Sequence, residues 1–272
     1  MRLALVVLLA GLVAGCGFGA GSQADSGQAT VTVTRDFGHR ELAPSQTAAA
    51  NGTVMRLLQS HFTVKTRYGG GFVQSIDGVS GGGQVDWFYY VNGIEASDGA
   101  AAHRLAPGDR VWWDHHAWGA AQRVPAVVGA FPQPFKAEPA QVVCLGTAAC
   151  KTVEERLGAR PGDGIRVLVG TWADVRKDAA ARTLEEGPAL SGVYAKPGAD
   201  GFALLDASGK TVRTVTGGLV AATRSGDERP TWIVTGTDEA GVEAAAAALT
   251  EDRLRRHFAL AVAGGEDLAL PL

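Results

Sequence analysis

The chain has 272 residues, a formal net charge of −3 and 46% hydrophobic residues. Near-neutrality excludes the basic footprint of a nucleic-acid-binding protein, and the length suits two domains of ordinary size. Much of the apolar content is Ala and the chain holds 37 Gly, so small cores and numerous loops are expected.

Arg2 is followed by an apolar run, Leu3 to Val13, about the length of a signal-peptide core and short of the roughly 20 apolar residues a bilayer span needs. The run ends in Leu12-Val13-Ala14-Gly15-Cys16, which resembles a bacterial lipobox. The resemblance implies a signal peptide over 1–15, cleavage before Cys16 and a diacylglycerol on its thiol. It places the protein on the outer, extracytoplasmic face of the cytoplasmic membrane. Simple secretion, or a buried N-terminal helix with a chance Cys, are the alternatives. Residues 16–28 are small, polar and Gly-rich, as in a flexible tether.

From Ala29 the texture is mostly strand. Thr30-Val31-Thr32-Val33-Thr34 alternates with period two, and Arg35 to Gly38 reads as a turn. Thr53 can cap a helix from Val54 to His61, with Val54, Leu57, Leu58 and His61 on one face. Strands follow at Thr63–Tyr68, Phe72–Ile76, Trp87–Val91 and Arg110–Trp113, and Asn92-Gly93 favours a tight hairpin. One helix packed across a small mixed sheet is expected over residues 29–119.

Phe72 through Gly78 (FVQSIDG), Trp87 through Gly93 (WFYYVNG) and Leu105 through Trp113 (LAPGDRVWW) resemble the small β-grasp domain of the transcobalamin and intrinsic-factor family. They are most similar to the bacterial lipoprotein domains of that type, known as DUF4430. The resemblance implies a β-grasp fold and a corrinoid-like ligand. The large helical domain that contributes to the cobalamin site of transcobalamins has no counterpart in this sequence. Trp87, Tyr89, Tyr90, Trp112 and Trp113 are the candidate ligand-binding aromatics. Along an alternating strand, however, Trp87 and Tyr89 share one face and Tyr90 takes the other. At most half of them are expected to meet a ligand, the rest forming core. Asp114-His115-His116, with His103 or His39, could ligate zinc, but adjacent His in a strand point to opposite faces, so no metal is expected.

Pro125, Pro132, Pro134 and Pro139 mark residues 120–140 as a stiff connector along the surface, although the apolar Val127 to Phe131 stretch could dock on a domain. Beyond it, strands at Gln141–Leu145, Ile165–Thr171 and Thr231–Thr235 alternate with helices at Cys150–Leu157, Trp172–Glu185 and Ala240–Leu249. Phe202–Leu205 and Thr211–Val215 form a hairpin, and a last strand begins at Phe258. Residues 141–272 therefore read as an α/β layered domain, which makes the whole chain α+β. Cys144 and Cys150 are a close pair in a chain destined for an oxidising compartment, where a disulfide is the default and two free buried thiols the alternative.

No phosphate loop, dinucleotide fingerprint, nucleophile elbow or zinc-protease motif is present. Gly170-Thr171-Trp172-Ala173-Asp174 and Thr235-Gly236-Thr237-Asp238 lie at strand-to-helix turns, where capping explains them as well as a ligand does. The chain is thus expected to have no catalytic residues and no resident cofactor. Two function classes remain. One is a membrane-anchored binder of a small molecule, corrinoid-like among the options, serving a transporter. The other is an envelope structural or protein-interaction module.

Overall fold

The computed structural model describes residues 27–160 and 163–272. The expected signal peptide, Cys16 and nearly all of the tether lie outside the described residues. No helix among those described is long and apolar enough to cross a membrane.

The first half runs β1 (Gln28–Arg35), β2 (Arg40–Ala49), α1 (Val54–His61), β3 (Val64–Arg67), β4 (Phe72–Ile76), β5 (Val79–Ser80), β6 (Val85–Val91), β7 (Ile94–Glu95) and β8 (Arg110–Ala117). The main sheet has the order β2-β1-β8-β6-β7, with β1 and β8 parallel and the other pairs antiparallel. β3, β4 and β5 form a separate small sheet. The alternation in β1 sends Ala29, Val31 and Val33 into a core beneath α1 and leaves Thr30 and Thr32 half-buried on the opposite face. Thr53 caps α1 by accepting from the Arg56 N–H at 3.3 Å. The helix buries Val54, Met55, Leu57 and Leu58, while His61 stays exposed. β2 has no alternating apolar pattern and contains Pro44. It is an edge strand with irregular register, where a missing N–H is tolerated, and for that reason it reads poorly as a strand from sequence.

The connector corrects the surface expectation. Ala121, Val124, Ala126, Val127, Val128, Ala130, Phe131 and Phe135 are all buried. The apolar residues between the prolines dock against both halves, and the Val128 N–H donates to the Phe258 carbonyl at 3.2 Å.

The second half contains β9 (Ala140–Cys144), α2 (Cys150–Leu157), β10 (Ile165–Thr171), α3 (Trp172–Val175), α4 (Ala179–Arg182), α5 (Pro188–Ser191), β11 (Ala195–Gly198), β12 (Gly201–Leu205), β13 (Thr211–Val215), β14 (Gly218–Thr223), β15 (Thr231–Gly236), α6 (Glu239–Ala247), α7 (Glu251–Leu254), β16 (Ala259–Ala263) and β17 (Glu266–Leu270). Its sheet has the order β17-β16-β14-β15-β10-β9. β9, β10 and β15 are parallel, and β14, β16 and β17 pair antiparallel. The helix expected over Trp172–Glu185 is broken into α3, α4 and a 3₁₀ turn, because Asp178 starts a new helix by accepting from the Ala180 N–H at 2.9 Å. Cys144 and Cys150 are joined in a disulfide with a Cα–Cα distance of 5.8 Å, and closing so short a loop contributes about 2 kcal/mol in the chain-entropy view.

One face of this sheet packs Val167, Trp232, Val234 and Leu260 against α2 and α6. On its other face Leu168, Leu219, Ile233 and Ala261 join a core that also takes in Phe37, Tyr90 and Trp112 of the first half. The two halves therefore share a hydrophobic core.

Candidate functional site

The aromatic strands come first, because the sequence places its candidates there. Strand register sets Tyr89 opposite Trp113 and Tyr90 opposite Trp112. Trp87, Tyr89 and Trp113 point to the α1 side. Tyr89 and Trp113 stack at 4.8 Å between ring centroids, Trp87 donates its indole N–H to the Val79 carbonyl at 3.0 Å, and the Tyr89 hydroxyl donates to the Asp98 carbonyl at 2.7 Å. Burial, reinforced by the Asp98 carboxylate, pushes the Tyr89 phenol above its ordinary range. Tyr90 and Trp112 point the other way, edge-on to Phe258 at 5.6 and 5.1 Å, and the Trp112 indole N–H donates to Thr34 Oγ1 at 2.7 Å.

All five candidate aromatics are thus buried. The expected exposed member of each alternating pair is missing, because the second half of the chain covers the face that α1 leaves open. As an open stacking platform for a flat ligand, the five are corrected to interior residues in this structure.

The strand end Asp114-His115-His116 divides as the alternation requires. Asp114 is fully buried and accepts from the Phe37 N–H at 3.0 Å, the Gly38 N–H at 2.8 Å, the Thr34 hydroxyl and His116 Nδ1 at 2.9 Å. It thereby holds the β1–β2 turn, where Asp36, Phe37 and Gly38 all take positive φ. The His116 ring lies against Phe37, Phe88 and Phe258. His115 faces the other side with Nε2 at 3.2 Å from the Ser80 carbonyl, and burial lowers its pKa. His103 pairs with Asp98, and His39 lies against the Pro271 carbonyl. Among the described residues no group of three or more His, Cys, Asp or Glu side chains could hold a metal ion.

What the sequence did not show is a cleft of about 400 Å³ at the seam between the halves. Thr30 and Thr32, on the polar face of β1, line it together with Ser45, the buried Trp112, Gly129 and Ala130. Its walls carry Arg110 and Glu41 from the first half and Glu251, Arg255 and Arg256 from the second. Two ion pairs of opposite polarity cross the seam, Arg110 to Glu251 at 2.8 Å and Arg256 to Glu41 at 2.7 Å. Arg110 also donates to the Phe131 carbonyl at 2.9 Å, and the Thr32 and Ser45 hydroxyls are bonded at 2.8 Å.

The backbone holding the arginines is tightly constrained. Arg256 has a φ of +61°, a conformation an L-residue adopts only where its surroundings enforce it. Its carbonyl presses on Gly38, where a Cβ would come within 1.9 Å, and a Cβ at Gly129 would lie 2.7 Å from the His257 nitrogen. Glycine is required at both contacts. The one sequence signal of this site was the cluster Arg253-Leu254-Arg255-Arg256, whose partners lie far away in the chain.

Comparison with known proteins bears on the first half. The model of a domain of unknown function, DUF4430, matches residues 51–117, the stretch from just before α1 through β8 that carries the β-grasp motifs. A crystal structure of a protein proposed to bind metal, from Ruminococcus gnavus ATCC 29149, aligns at 16% identity with a TM-score of 0.29, covering 34% of this chain and 97% of that one. Haptocorrin in complex with Cbi aligns at 16% identity with a TM-score of 0.26, covering 33% of this chain and 26% of haptocorrin. No curated protein matches the chain.

Proposed function

We propose that this protein is a non-catalytic, lipid-anchored binding protein on the outer face of the cytoplasmic membrane, which captures a small polar molecule for delivery to a transporter. The observation that carries the binding part is the seam cleft. Its volume of about 400 Å³ falls in the range of small-molecule sites, roughly 300–1,000 Å³, and such sites favour the junction between two structural units. Of the five buried aromatics only Trp112 lines this site; the others hold the sheet that carries its floor. A corrinoid macrocycle is too large to be enclosed by it, so the ligand in this reading is smaller and more polar.

Two measurements test the proposal. Full-length protein in detergent, titrated calorimetrically against a panel of small metabolites, should give saturable heat that Ser45→Trp, a bulky residue at the exposed rim, abolishes without lowering the melting temperature. The anchor is tested by Cys16→Ser, which should release from membranes a protein that otherwise resists alkaline washing.

A second reading, a protein-interaction module, draws on one feature. Tyr68 is 85% exposed at the β3–β4 tip, with Phe72 beside it at 6.3 Å between centroids. If no metabolite binds and substitution of Tyr68 removes a partner protein, this reading replaces the first.

A further inference from the structure

Resting on the reading of the seam cleft as a capture site, we infer that its ligand is a small oxyanion, a carboxylate or phosphate carried on a hydroxyl-bearing skeleton of about monosaccharide size.

The charge inventory gives the sign. Three guanidinium groups, Arg110, Arg255 and Arg256, face two carboxylates, Glu41 and Glu251. Each carboxylate is already engaged by one arginine across the seam. A cationic ligand would have to displace one of those arginines to find a carboxylate. An anion faces no such competition. Each guanidinium carries five N–H donors in a fork suited to planar oxyanions, and one ion-pair contact leaves most of them free. Arg255 is the surplus charge. Within the described residues its ion-pair partner is Asp252, three positions earlier and 88% exposed, and a pair in that setting is held weakly against solvent.

The rest of the lining sets the skeleton. Thr30 and Thr32 on the floor and Ser45 at the rim line the cleft with three hydroxyls, each able to donate and accept. The Thr32 and Ser45 hydroxyls are bonded to each other at 2.8 Å and keep capacity for a further bond, so hydroxyl groups on the ligand can extend that pair and an apolar skeleton cannot. The constraint on residue 256 supports a prearranged backbone: Arg256 is held in a left-handed conformation by packing on Gly38, and its N–H donates to the Gly129 carbonyl at 3.3 Å. The Arg110 and Arg256 guanidinium groups, held by their ion pairs across the seam, lose less freedom when a ligand arrives.

Calorimetry on the full-length protein in detergent at low salt tests this with four probes: inorganic phosphate, glucuronate, glucose and choline. Phosphate and glucuronate should bind, glucuronate more tightly, and both should weaken as salt is raised. Glucose and choline should give no saturable heat. Arg255→Gln should cost about ten- to hundredfold in glucuronate affinity, the scale of a lost charge-assisted hydrogen bond, with an unchanged melting temperature because its own pair is exposed. Binding of glucose or choline as tightly as glucuronate, or full affinity in Arg255→Gln, overturns the anion assignment. In that case capture itself still stands if Ser45→Trp blocks the ligand that does bind. Absence of heat with all four probes and with a broad metabolite panel removes both.

Discussion

The two faces of the β6–β8 sheet are built from similar side chains and closed in opposite ways. Trp87, Tyr89 and Trp113 are covered by α1 and the small β3-β4-β5 sheet, elements that lie within the same half of the chain. Tyr90, Trp112 and Phe37 are covered by Tyr194, Phe258 and Ala259, which arrive only after the connector. The region carrying the recognisable motifs therefore holds one complete core of its own and half of another. A match to a domain family delimits where motifs lie, and burial delimits what must fold together. Here the two boundaries differ, and the difference places a cleft at the seam, where the start of β8 meets residues 251–256.

The largest effect should come from removing the second cover altogether. A fragment spanning residues 27–119 would expose Phe37, Tyr90 and Trp112 together, a contiguous apolar patch of the kind that monomers seldom present. It is expected to lack a cooperative thermal transition or to associate, as read by near-ultraviolet circular dichroism and light scattering. A monomeric fragment that melts cooperatively would show that the α1 side suffices, and the contrast between faces would collapse.

Next in size is the aromatic pin of the seam. Phe258 lies within 5.1 Å of Phe37, Trp112 and His116 by ring centroids, and within 5.6 Å of Tyr90. Phe258→Ala should cost about 3–5 kcal/mol in urea unfolding, the usual toll of an emptied aromatic site, and should speed proteolysis within the connector. A loss near 1 kcal/mol would mean that the seam relaxes around the gap and that the shared core is loosely made.

This contrast also explains what could be read from the sequence. Local pattern was sufficient for β1, α1, the aromatic strands, the Phe202–Val215 hairpin and α6, because each shows alternation, a capping residue or a turn within a few positions. Asp238, for example, caps α6 by accepting from the Gly241 N–H at 2.8 Å. The Cys144–Cys150 bridge followed from a close pair in a chain expected to reach an oxidising compartment. The alternation also separated Tyr89 from Tyr90 correctly, but it could not say that both faces would be covered, since Phe258 and Tyr194 are distant in sequence. For the same reason the cleft was invisible: Thr32, Arg110, Gly129 and Arg256 become neighbours only when the halves close. The prolines of the connector signalled a stiff surface segment, and its apolar stretch signalled docking; Val127, Val128 and Phe131 decide the matter by burying, as do Ala121, Val124 and Phe135 on either side.

A finer probe compares the adjacent tyrosines. The Tyr89 hydroxyl has a carbonyl partner, while the fully buried Tyr90 hydroxyl has none among the described residues. Tyr89→Phe should therefore lose about 1 kcal/mol, the net value of a typical hydrogen bond. Tyr90→Phe should be neutral or slightly stabilising, since it removes a polar atom from an apolar contact. Equal losses in the two variants, measured by denaturant midpoints, would show that the seam is as well satisfied in polar terms as the α1 side.

The smallest effect is expected from two histidines, one in each region. His257 sits beside the seam, where burial chiefly, with His39 and Arg256 adding repulsion and Asp267 opposing it, lowers its pKa below the ordinary 6.5. On the face turned away from the seam, burial likewise lowers the pKa of His115, with His116 and Arg35 adding to the effect and the Ser80 carbonyl and Asp114 opposing it. For a histidine depressed in the folded state, the unfolded chain takes up its proton first as pH falls. Stability is therefore complete above pH 6.5 and declines as the pH drops from there toward the folded-state value, below which the loss levels off. Melting temperatures recorded between neutral and mildly acidic pH should show this decline. His257→Gln should flatten the part due to the seam and His115→Gln the part due to the other face. The larger flattening is expected for His257, the more deeply buried of the two, because burial is the leading cause in both. If His115→Gln removes the greater share, acid loosens the α1 side first, and the seam is the more robust of the two covers.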